Sequence, residues 1–476
     1  MVPSLKVLFL TAEATPLVKV GGLADVAGEL PHEFVRRGFD LRVVMPLHSI
    51  IDRSNYELDE LCRFPVPRGK GDREGVVFTL DLDGVQFWLI DGEPVQAVQG
   101  VYGQPQQDAE KYVFSAKAAL LACQAYGWKP DILHANDWHP SAAINFVQQW
   151  RNEKPFWSDV RTLLTIHNLA YMGSDKARAI YGVPEVSDPL LPGWAEHLPL
   201  PSGIALADTL NTVSPTYAEE IQTVEYGCGL DQLLEARSDR LTGIMNGIDT
   251  ICWDPSQDPS LDQSFTPETL ELRRRNKSRL QSALELPSGD LPLISMITRL
   301  DHQKGVDLAL DALEELMDTE WQFVLLGTGD PALEVLAREF SDRHSERARV
   351  LLRFDERAAR KLYASSDLIL IPSRYEPCGL AQLIGMRYGA VPVVRSTGGL
   401  RDSVTDADRA PEGTGFVFEA LKMDELALTL RRAMGAYEDK SRWHSIQRRG
   451  MSQDHSWSKT AGAYADLYTR LMHDEF

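Results

Sequence analysis

The chain has 476 residues, of which 43% are hydrophobic and 25% are charged, and its formal net charge is −20. One hydrophobic core stops growing at roughly 250–300 residues, so this length predicts two domains. The acidic balance opposes non-specific attraction to nucleic acid and to anionic lipid, and we expect neither as a partner. No apolar run approaches the roughly 18 residues of a membrane span and no signal-peptide pattern opens the chain, which predicts a cytoplasmic protein.

Short apolar runs alternate with helical patterns through most of the chain, which is typical of parallel-sheet α/β units. In the first half the predicted strands are Lys6–Thr11, Leu41–Pro46, Val85–Ile90, Asp131–Ala135, Arg161–His167 and Thr209–Val213. The helical patterns of that half are Leu23–Gly38 and Ala109–Tyr126. In the second half the predicted strands are Leu293–Thr298, Phe323–Gly327, Val350–Phe354, Leu368–Pro372 and Val391–Val394.

Two doubly wound domains of this kind predict a ligand-binding cleft between them, lined by the turns that follow strands. The stretch Asp254–Asp290 is rich in Pro, Ser and Asp and is interpreted as the inter-domain region. The last segment, Trp457–Met472, has helical periodicity, which leaves open the domain on which it packs. The five cysteines are scattered and odd in number, without a CxxC pair, so we expect neither a disulfide framework nor a metal site.

A lysine beside paired glycines lies between the first strand and the first helix, in Val18–Val26. Gly21 and Gly22 allow close approach of the backbone, and the first N–H groups of the helix form an anion site. Lys19 would add a point charge to that site. The alternative is a solvated loop, and the GxGxxG spacing of a dinucleotide fold is missing.

Two cations follow the first strand of the second half, at Arg299 and Lys304. Five residues apart, at a strand end and a helix start, they can converge on a diphosphate. The alternative is a surface ion pair with Asp301 or Asp307.

A carboxylate follows a later strand at Glu376, ahead of the N–H groups of Cys378, Gly379 and Leu380, which are predicted to open a helix. A carboxylate there can accept hydrogen bonds from sugar hydroxyls, and the alternative is a helix N-cap. No histidine is near Cys378 in sequence, which favours an inert thiol over a nucleophile.

Polar residues also end the strands near Asp137 and His167, and Trp138 is suited to stacking on a sugar ring. A lone histidine at a strand end is more often structural than catalytic. The HxxxxH spacing of His134 and His139 lacks the HExxH pattern, so no metal site is predicted there.

The ordered set of motifs resembles the bacterial and plant glycogen and starch synthases. The matching segments are KVGGLADV, HANDWH, TIHNLAY, NTVSPTYAEEI, IMNGID, TRLDHQKG, PSRYEPCGL and VRSTGGLRD. They appear in family order from about residue 5 to residue 465, so the resemblance covers nearly the whole chain.

The resemblance implies a GT-B type fold, in which two Rossmann-like α/β domains face a deep cleft. Residues 1–250 would form the acceptor-side domain, joined by a C-terminal helix at about 456–476, and residues 251–455 the nucleotide-sugar domain. The implied reaction moves glucose from ADP-glucose to the non-reducing-end O4 of an α-1,4-glucan, with retention of configuration and release of ADP. No cofactor or metal is implied, and the oligomeric state stays open.

The resemblance also implies roles by position. Donor contacts fall on Lys19, Gly22, Asp25, Asn246, Arg299, Lys304, Phe354, Glu376, Cys378, Gly379 and Leu380, and acceptor contacts on Tyr102, Asp137 and Trp138. Catalytic roles fall on Glu376, His167, Asp137, Lys304 and Arg299. Glu376 would hold the donor glucose and His167 would lie near the anomeric carbon. Phe354 would lie against the adenine, the alternative being that it closes a strand.

The chain departs from the family pattern at Val20, where many relatives have threonine, and at Arg401, where many have alanine. Ile384 stands where the broader glycosyltransferase group has a second glutamate, which disfavours a generic hexosyltransferase. UDP-glucose is the alternative donor. A catalytically silent glucan-binding relative is disfavoured, because a decayed site would be expected to lose at least one of four residues that are all present here: Lys19, Arg299, Lys304 and Glu376. A nicotinamide oxidoreductase is disfavoured because the chain has no GxGxxG unit after a strand.

Overall fold

The computed structural model describes residues 5–475. The chain divides into two compact units, one running up to Gly247 and including the segment from Trp457, the other comprising Ile248–Ser456. Within residues 5–475, no helix has the length and apolar character needed to cross a membrane.

The first unit contains a nine-stranded sheet. Its strands are β1 (Lys6–Leu10), β2 (Asp40–Pro46), β3 (Asp59–Val66), β4 (Arg73–Leu82), β5 (Val85–Asp91), β6 (Ile132–Asn136), β7 (Arg161–Ile166), β8 (Thr209–Thr212) and β9 (Leu241–Gly243). The spatial order is β3-β4-β5-β2-β1-β6-β7-β8-β9. All neighbours are parallel except β3 with β4 and β4 with β5, and Val7 of β1 lies between Leu41 and Ile132.

Helices cover the sheet of the first unit. Those that precede the second unit in the chain are α1 (Gly22–Arg36), α2 (Glu93–Gln96), α3 (Pro105–Tyr126), α4 (Ser141–Glu153), α5 (Arg178–Tyr181), α6 (Pro199–Leu206), α7 (Pro215–Glu220) and α8 (Asp231–Glu235). The longest, α3, ends at Gly127, which adopts a left-handed conformation and so closes the helix without a Cβ penalty.

The second unit has a six-stranded, fully parallel sheet in the order β12-β11-β10-β13-β14-β15. Its strands are β10 (Leu293–Ile297), β11 (Gln322–Leu326), β12 (Ala348–Leu351), β13 (Leu368–Ile371), β14 (Val391–Arg395) and β15 (Phe416–Phe418). Its helices are α9 (Arg273–Ala283), α10 (Val306–Glu314), α11 (Pro331–Arg343), α12 (Glu356–Ser365), α13 (Ala381–Arg387), α14 (Gly398–Ser403), α15 (Met423–Glu438) and α16 (Lys440–Met451). Short 3₁₀ turns in the chain are Arg53–Asn55, Pro155–Trp157, Ser238–Arg240, Leu270–Leu272 and His302–Lys304.

All eleven predicted strands are present, but four strands were missed. The pair β3 and β4 forms an antiparallel arm at the sheet edge, where β3 is largely exposed and rich in charged residues. An edge strand of this kind has a weak apolar pattern. The other two, β9 and β15, have only three residues each.

Two further expectations differ from the structure. The stretch 254–290 is not a linker, because Phe265 and Leu270 lie in the core of the second unit and α9 lies within it. The strand predicted to run to Phe354 ends at Leu351, where the N–H of Arg353 turns back to the carbonyl of Leu351. Phe354 therefore does not close a strand, and it is 83% exposed.

The final helix, α17 (Trp457–His473), packs in the first unit against α1. Its Tyr464 and Tyr468 are fully buried beside Phe34 of α1, with ring centroids 6.1 and 5.3 Å away. The hydroxyl of Tyr468 lies 2.8 Å from Nδ1 of His134, and the Nε2 of that histidine lies 2.6 Å from Oγ1 of Thr165. His134 is thus a buried structural residue that ties the sheet to the chain's last helix.

We predict that Tyr468→Ala lowers the free energy of unfolding by about 3–5 kcal/mol, because it deletes a fully buried ring. Tyr468→Phe should cost about 1–3 kcal/mol, because it leaves a buried nitrogen of His134 without its partner. Equilibrium urea denaturation measures both. Asp466→Ala, on the exposed side of the same helix, is the control and should change stability by less than about 0.5 kcal/mol. If Tyr468→Ala and Asp466→Ala lower the free energy of unfolding by equal amounts, the packing role of Tyr468 is contradicted.

Candidate active site

The loop of paired glycines lies between β1 and α1, as predicted. Lys19 is 44% exposed, and its Nζ donates to Oδ1 of Asp25 at 2.7 Å. Gly21 is the N-cap of α1 in an extended conformation, and Gly22 is the first helical residue. The predicted donor residues Lys19, Gly22 and Asp25 therefore lie together at the start of one helix.

A residue that sequence reasoning missed, Glu13, lies beneath this loop. It is 2% exposed, and its carboxylate accepts the backbone N–H groups of Val20 and Gly21, the latter at 3.2 Å from each oxygen. Burial raises the pKa of Glu13 to about 7, although the two N–H donors act against that rise. The sequence does contain a signal that could have found Glu13, because it lies in the turn after β1. The same position after a strand singled out Asp137 and His167.

Asp137 and His167 meet at the ends of the adjacent strands β6 and β7. The buried Oδ1 of Asp137 accepts the backbone N–H groups of His167 at 2.7 Å and Asn168 at 3.3 Å. Burial raises the pKa of Asp137 to about 7. The φ of Asp137 is +60°, a left-handed conformation that turns the chain sharply after the strand.

The imidazole of His167 is held by Asn136. Its Nε2 lies 2.9 Å from Oδ1 of Asn136, whose Nδ2 donates to the carbonyl of Leu10 at 3.0 Å. Because the amide nitrogen of Asn136 is committed as a donor, its oxygen accepts and the imidazole proton lies on Nε2. Burial lowers the pKa of His167 to about 3.

Aromatic rings form a group beside Asp137. Trp138 lies 4.2 Å from the ring of His139 and 5.1 Å from that of Tyr112, and Tyr102 lies 5.6 Å from His139, measured between centroids. Gly173 makes room for Trp138, since a Cβ there would lie 2.5 Å from the indole. The three residues predicted for the acceptor, Tyr102, Asp137 and Trp138, thus lie in one region of the first unit.

The segment that carries Tyr102 is held by the start of α3. The Asp108 carboxylate accepts the N–H of Gly103 at 2.9 Å, and the hydroxyl of Tyr112 donates to the carbonyl of Val101 at 2.7 Å. Lys111, fully buried, donates to that same carbonyl. Burial lowers the pKa of Lys111 to about 8.

Asn246 lies in the loop after β9, the last strand of the first unit. Its Oδ1 is buried and accepts no hydrogen bond from any residue in the described range 5–475. An unsatisfied buried amide oxygen is uncommon and is consistent with a ligand donor at this position.

In the second unit, Lys304 and Glu376 form an ion pair. The Nζ of Lys304 lies 2.9 and 2.6 Å from the two carboxylate oxygens of Glu376, and the hydroxyl of Ser373 donates to the same carboxylate at 2.8 Å. Glu376 is 6% exposed. Lys304 therefore pairs with neither Asp301 nor Asp307, and Glu376 is not a helix N-cap, because α13 begins at Ala381 with Leu380 as its N-cap.

The local backbone brings these two side chains together. Gly305 has a left-handed φ of +66°, and a Cβ there would lie 2.3 Å from the carbonyl oxygen of Pro372. Only glycine lets the turn after β10 approach the end of β13 so closely. The Nε2 of Gln303 then donates to the carbonyl of Tyr375 at 3.0 Å, which fixes the two turns to each other.

A cavity of about 200 Å³ opens beside this pair. The predicted donor residues that line it are Arg299, Lys304, Glu376, Gly379 and Leu380. Arg299 also forms an ion pair with Asp301, the alternative that the sequence left open, with 3.5 Å between the guanidinium and the carboxylate.

Two predicted donor residues, Phe354 and Cys378, are not among the residues that line the cavity, and Cys378 is buried. The N–H groups of Cys378, Gly379 and Leu380 belong to a loop that precedes α13, not to the helix as predicted.

The pKa of His167 generates a prediction for nuclear magnetic resonance. Because the folded-state pKa lies below the ordinary value of about 6.5, the ring stays neutral in the folded protein from about pH 5 to pH 8. The unfolded chain takes up a proton at this histidine below about pH 6.5, so folding stability is lost progressively as pH falls from about 6.5 toward 3. The ¹⁵N shifts of the ring should report one tautomer, with the proton on Nε2, and show no titration across that range. A His167→Gln variant assigns the signals, and a midpoint near pH 6.5 would contradict the lowered pKa.

Comparisons with known proteins identify the family and the fold of the chain. The family model described as "Starch synthase catalytic domain" matches residues 6–236, and "Glycosyl transferases group 1" matches residues 279–449. The catalytic domain of Starch Synthase IV from Arabidopsis thaliana, bound to ADP and acarbose, has a TM-score of 0.90 at 31% identity and covers 99% of this chain and 100% of its own. A sucrose-phosphate synthase from Thermosynechococcus elongatus shares the fold, with a TM-score of 0.64 at 16% identity and coverage of 99% of this chain and 100% of its own.

Two curated relatives match over nearly the full length of both chains. The glycogen synthase of Clostridium novyi is 38% identical over 98% of this chain and 100% of its own, and that of Syntrophotalea carbinolica is 39% identical over 98% and 99%. The predicted GT-B fold class is confirmed by these matches and by the solved structures. At this identity and coverage, the chain belongs to the glycogen synthase family and is a glycosyltransferase.

Proposed function

We propose that this enzyme transfers glucose from ADP-glucose to the O4 hydroxyl at the non-reducing end of an α-1,4-glucan, with retention and release of ADP, in the cytoplasm. The observation that carries the donor assignment is the cavity in which Arg299, Lys304 and Glu376 lie together. The similarity to a starch synthase domain bound to ADP and acarbose supports a nucleoside diphosphate as donor product and a glucan as acceptor.

The cations of the second unit suit the leaving group. As the bond between glucose and phosphate breaks, negative charge grows on the diphosphate, and fixed positive charge stabilises it. An ammonium has three N–H donors, so Lys304 can keep its contacts to Glu376 and still donate to a phosphate oxygen. Arg299, whose side chain is largely exposed, adds a planar fork suited to phosphate.

Glu376 is proposed to hold the hydroxyls of the donor glucose. Its carboxylate is buried, oriented by Lys304 and Ser373, and lines the cavity. A carboxylate whose position is determined by two donors loses little entropy when it accepts a third.

The acceptor glucan is assigned to the first unit. Tyr102 and Trp138 supply ring surfaces, and stacking on sugars uses the amphipathic face of such rings. His167 is proposed to lie near the anomeric carbon as a neutral polar group, since its imidazole carries no charge at neutral pH. Retention without an assigned carboxylate nucleophile points to attack on the face from which ADP departs.

A panel of donors and acceptors tests the proposal. Radiolabelled ADP-glucose should extend a glycogen primer, with release of one ADP per glucose, and UDP-glucose should compete poorly. Failure to incorporate label from any nucleoside diphosphate glucose would refute the proposed reaction. Preferential use of UDP-glucose would refute only the proposed preference for ADP-glucose and would leave the glucosyl transfer itself in place.

Variants of the ion pair test the donor site. Glu376→Ala should lower kcat by about 10²–10³, because a positioned polar group of the transition state is lost. Lys304→Gln should raise the KM for donor by about tenfold or more, since one charged hydrogen bond is lost while the amide still donates to Glu376. Steady-state kinetics measure both.

The matched controls are Glu356→Ala and Lys361→Gln, which alter ion-paired residues on the surface of the same unit. Both controls should leave kcat and KM unchanged. Near-normal kinetics in the Glu376 or Lys304 variant would remove that residue from the donor site.

A further inference from the structure

A buried carboxylate, Glu13, lies beneath the paired-glycine loop and has no role in the proposed reaction. Glu13 is 2% exposed, and within residues 5–475 no lysine, arginine or histidine forms an ion pair with it. Lys19, which follows six residues later, pairs directly with Asp25, although its charge also acts to lower the pKa of Glu13. A buried carboxylate that has no direct ion pair is costly unless it is hydrogen-bonded, so its hydrogen-bond partners determine what it stabilises.

Those partners are the N–H groups of the loop itself. Val20 donates its N–H to Oε2 of Glu13, and Gly21 lies 3.2 Å from both oxygens. The side chain of Val20 is 53% exposed, so the residue turns its amide inward and its isopropyl group outward. Two successive amides of one loop thus converge on one carboxylate.

The flanks of the loop are held by other contacts. Before it, the N–H of Val18 donates to the carbonyl of Ala14 at 3.0 Å, and the N–H of Thr15 donates to the carbonyl of Ala24 in α1 at 3.0 Å. Between these anchors, the N–H groups of Val20 and Gly21 bond to Glu13. The conformation of the segment that carries Lys19 therefore depends on this carboxylate.

A carboxylate is also the side chain best matched to this task. It presents acceptors on both oxygens, whereas the amide of glutamine would direct an NH₂ group toward one of the N–H donors. Two bonds from successive amides to one side chain favour one loop geometry over others.

We propose that Glu13 is a positioning residue for the donor, which fixes Lys19 and the amino end of α1 in the geometry that receives the nucleotide sugar. This inference rests on the proposed function, because it takes Lys19 as a donor contact. Glu13 acts through the loop and has no contact with the reacting atoms.

Kinetics of Glu13→Ala and Glu13→Gln test the proposal. Glu13→Ala should raise the KM for ADP-glucose by about tenfold or more while the KM for glycogen stays within twofold, because the hydrogen bonds that the carboxylate accepts come from the donor loop. Glu13→Gln keeps one acceptor and should show a smaller rise. This graded, donor-selective effect is not expected of a residue that only supports the fold.

The matched control is Asp131→Ala. Asp131 also accepts a backbone N–H, that of Lys6 at 2.8 Å, but it lies at the amino ends of β1 and β6, the opposite edge of the sheet. It should leave the KM for donor unchanged. Thermal unfolding of all three variants identifies any that fail to fold, and Glu13→Gln, closest in size to glutamate, is the variant on which the decision then rests.

The outcomes separate the two claims. If the wild-type protein neither binds ADP by calorimetry nor transfers glucose, the proposed function fails. If the wild-type protein does both, an unchanged KM for donor in a folded Glu13→Ala, or equal changes in the two KM values, overturns the positioning role. Where Glu13→Ala fails to fold, the same two results in Glu13→Gln overturn it.

Discussion

Parallel strand pairing is the constraint on which both halves of this molecule depend. In a parallel sheet every strand ends at the same edge, so the turns that follow the strands are brought together whatever their separation in sequence. In the first unit this places Glu13, Asp137 and His167 after β1, β6 and β7, which are consecutive in the sheet. In the second unit it places Arg299 and Glu376 after the neighbouring strands β10 and β13.

The two units differ in the charge that they supply at these edges. Burial raises the pKa values of Glu13 and Asp137 to about 7 and keeps His167 neutral, so the first unit offers hydrogen bonds and aromatic surface with little net positive charge. The second unit supplies Arg299 and Lys304. This division suits a reaction in which negative charge develops on a diphosphate while the acceptor is a neutral sugar.

Three carboxylates of the first unit accept hydrogen bonds from backbone N–H groups. Glu13 bonds the loop before α1, Asp137 bonds the turn after β7, and Asp108 bonds the turn before α3. Each carboxylate fixes the segment that carries a proposed ligand contact, respectively Lys19, His167 and Tyr102. Positioning of this kind lets a site be built on loops and still hold its geometry.

The amino-acid sequence by itself predicted the order of the α/β units and named most of the candidate site residues, because a strand followed by a turn with polar residues is a local pattern. Lys19, Lys304 and Glu376 were all proposed from turns that follow strands. Tertiary structure alone decided the partners: Lys304 pairs with Glu376, 72 residues away, and not with the nearby Asp301 or Asp307. It also decided the burial of Glu13, the antiparallel arm β3–β4, and the packing of α17 on α1. These depend on contacts between residues far apart in the chain, and no period or spacing within one segment records such contacts.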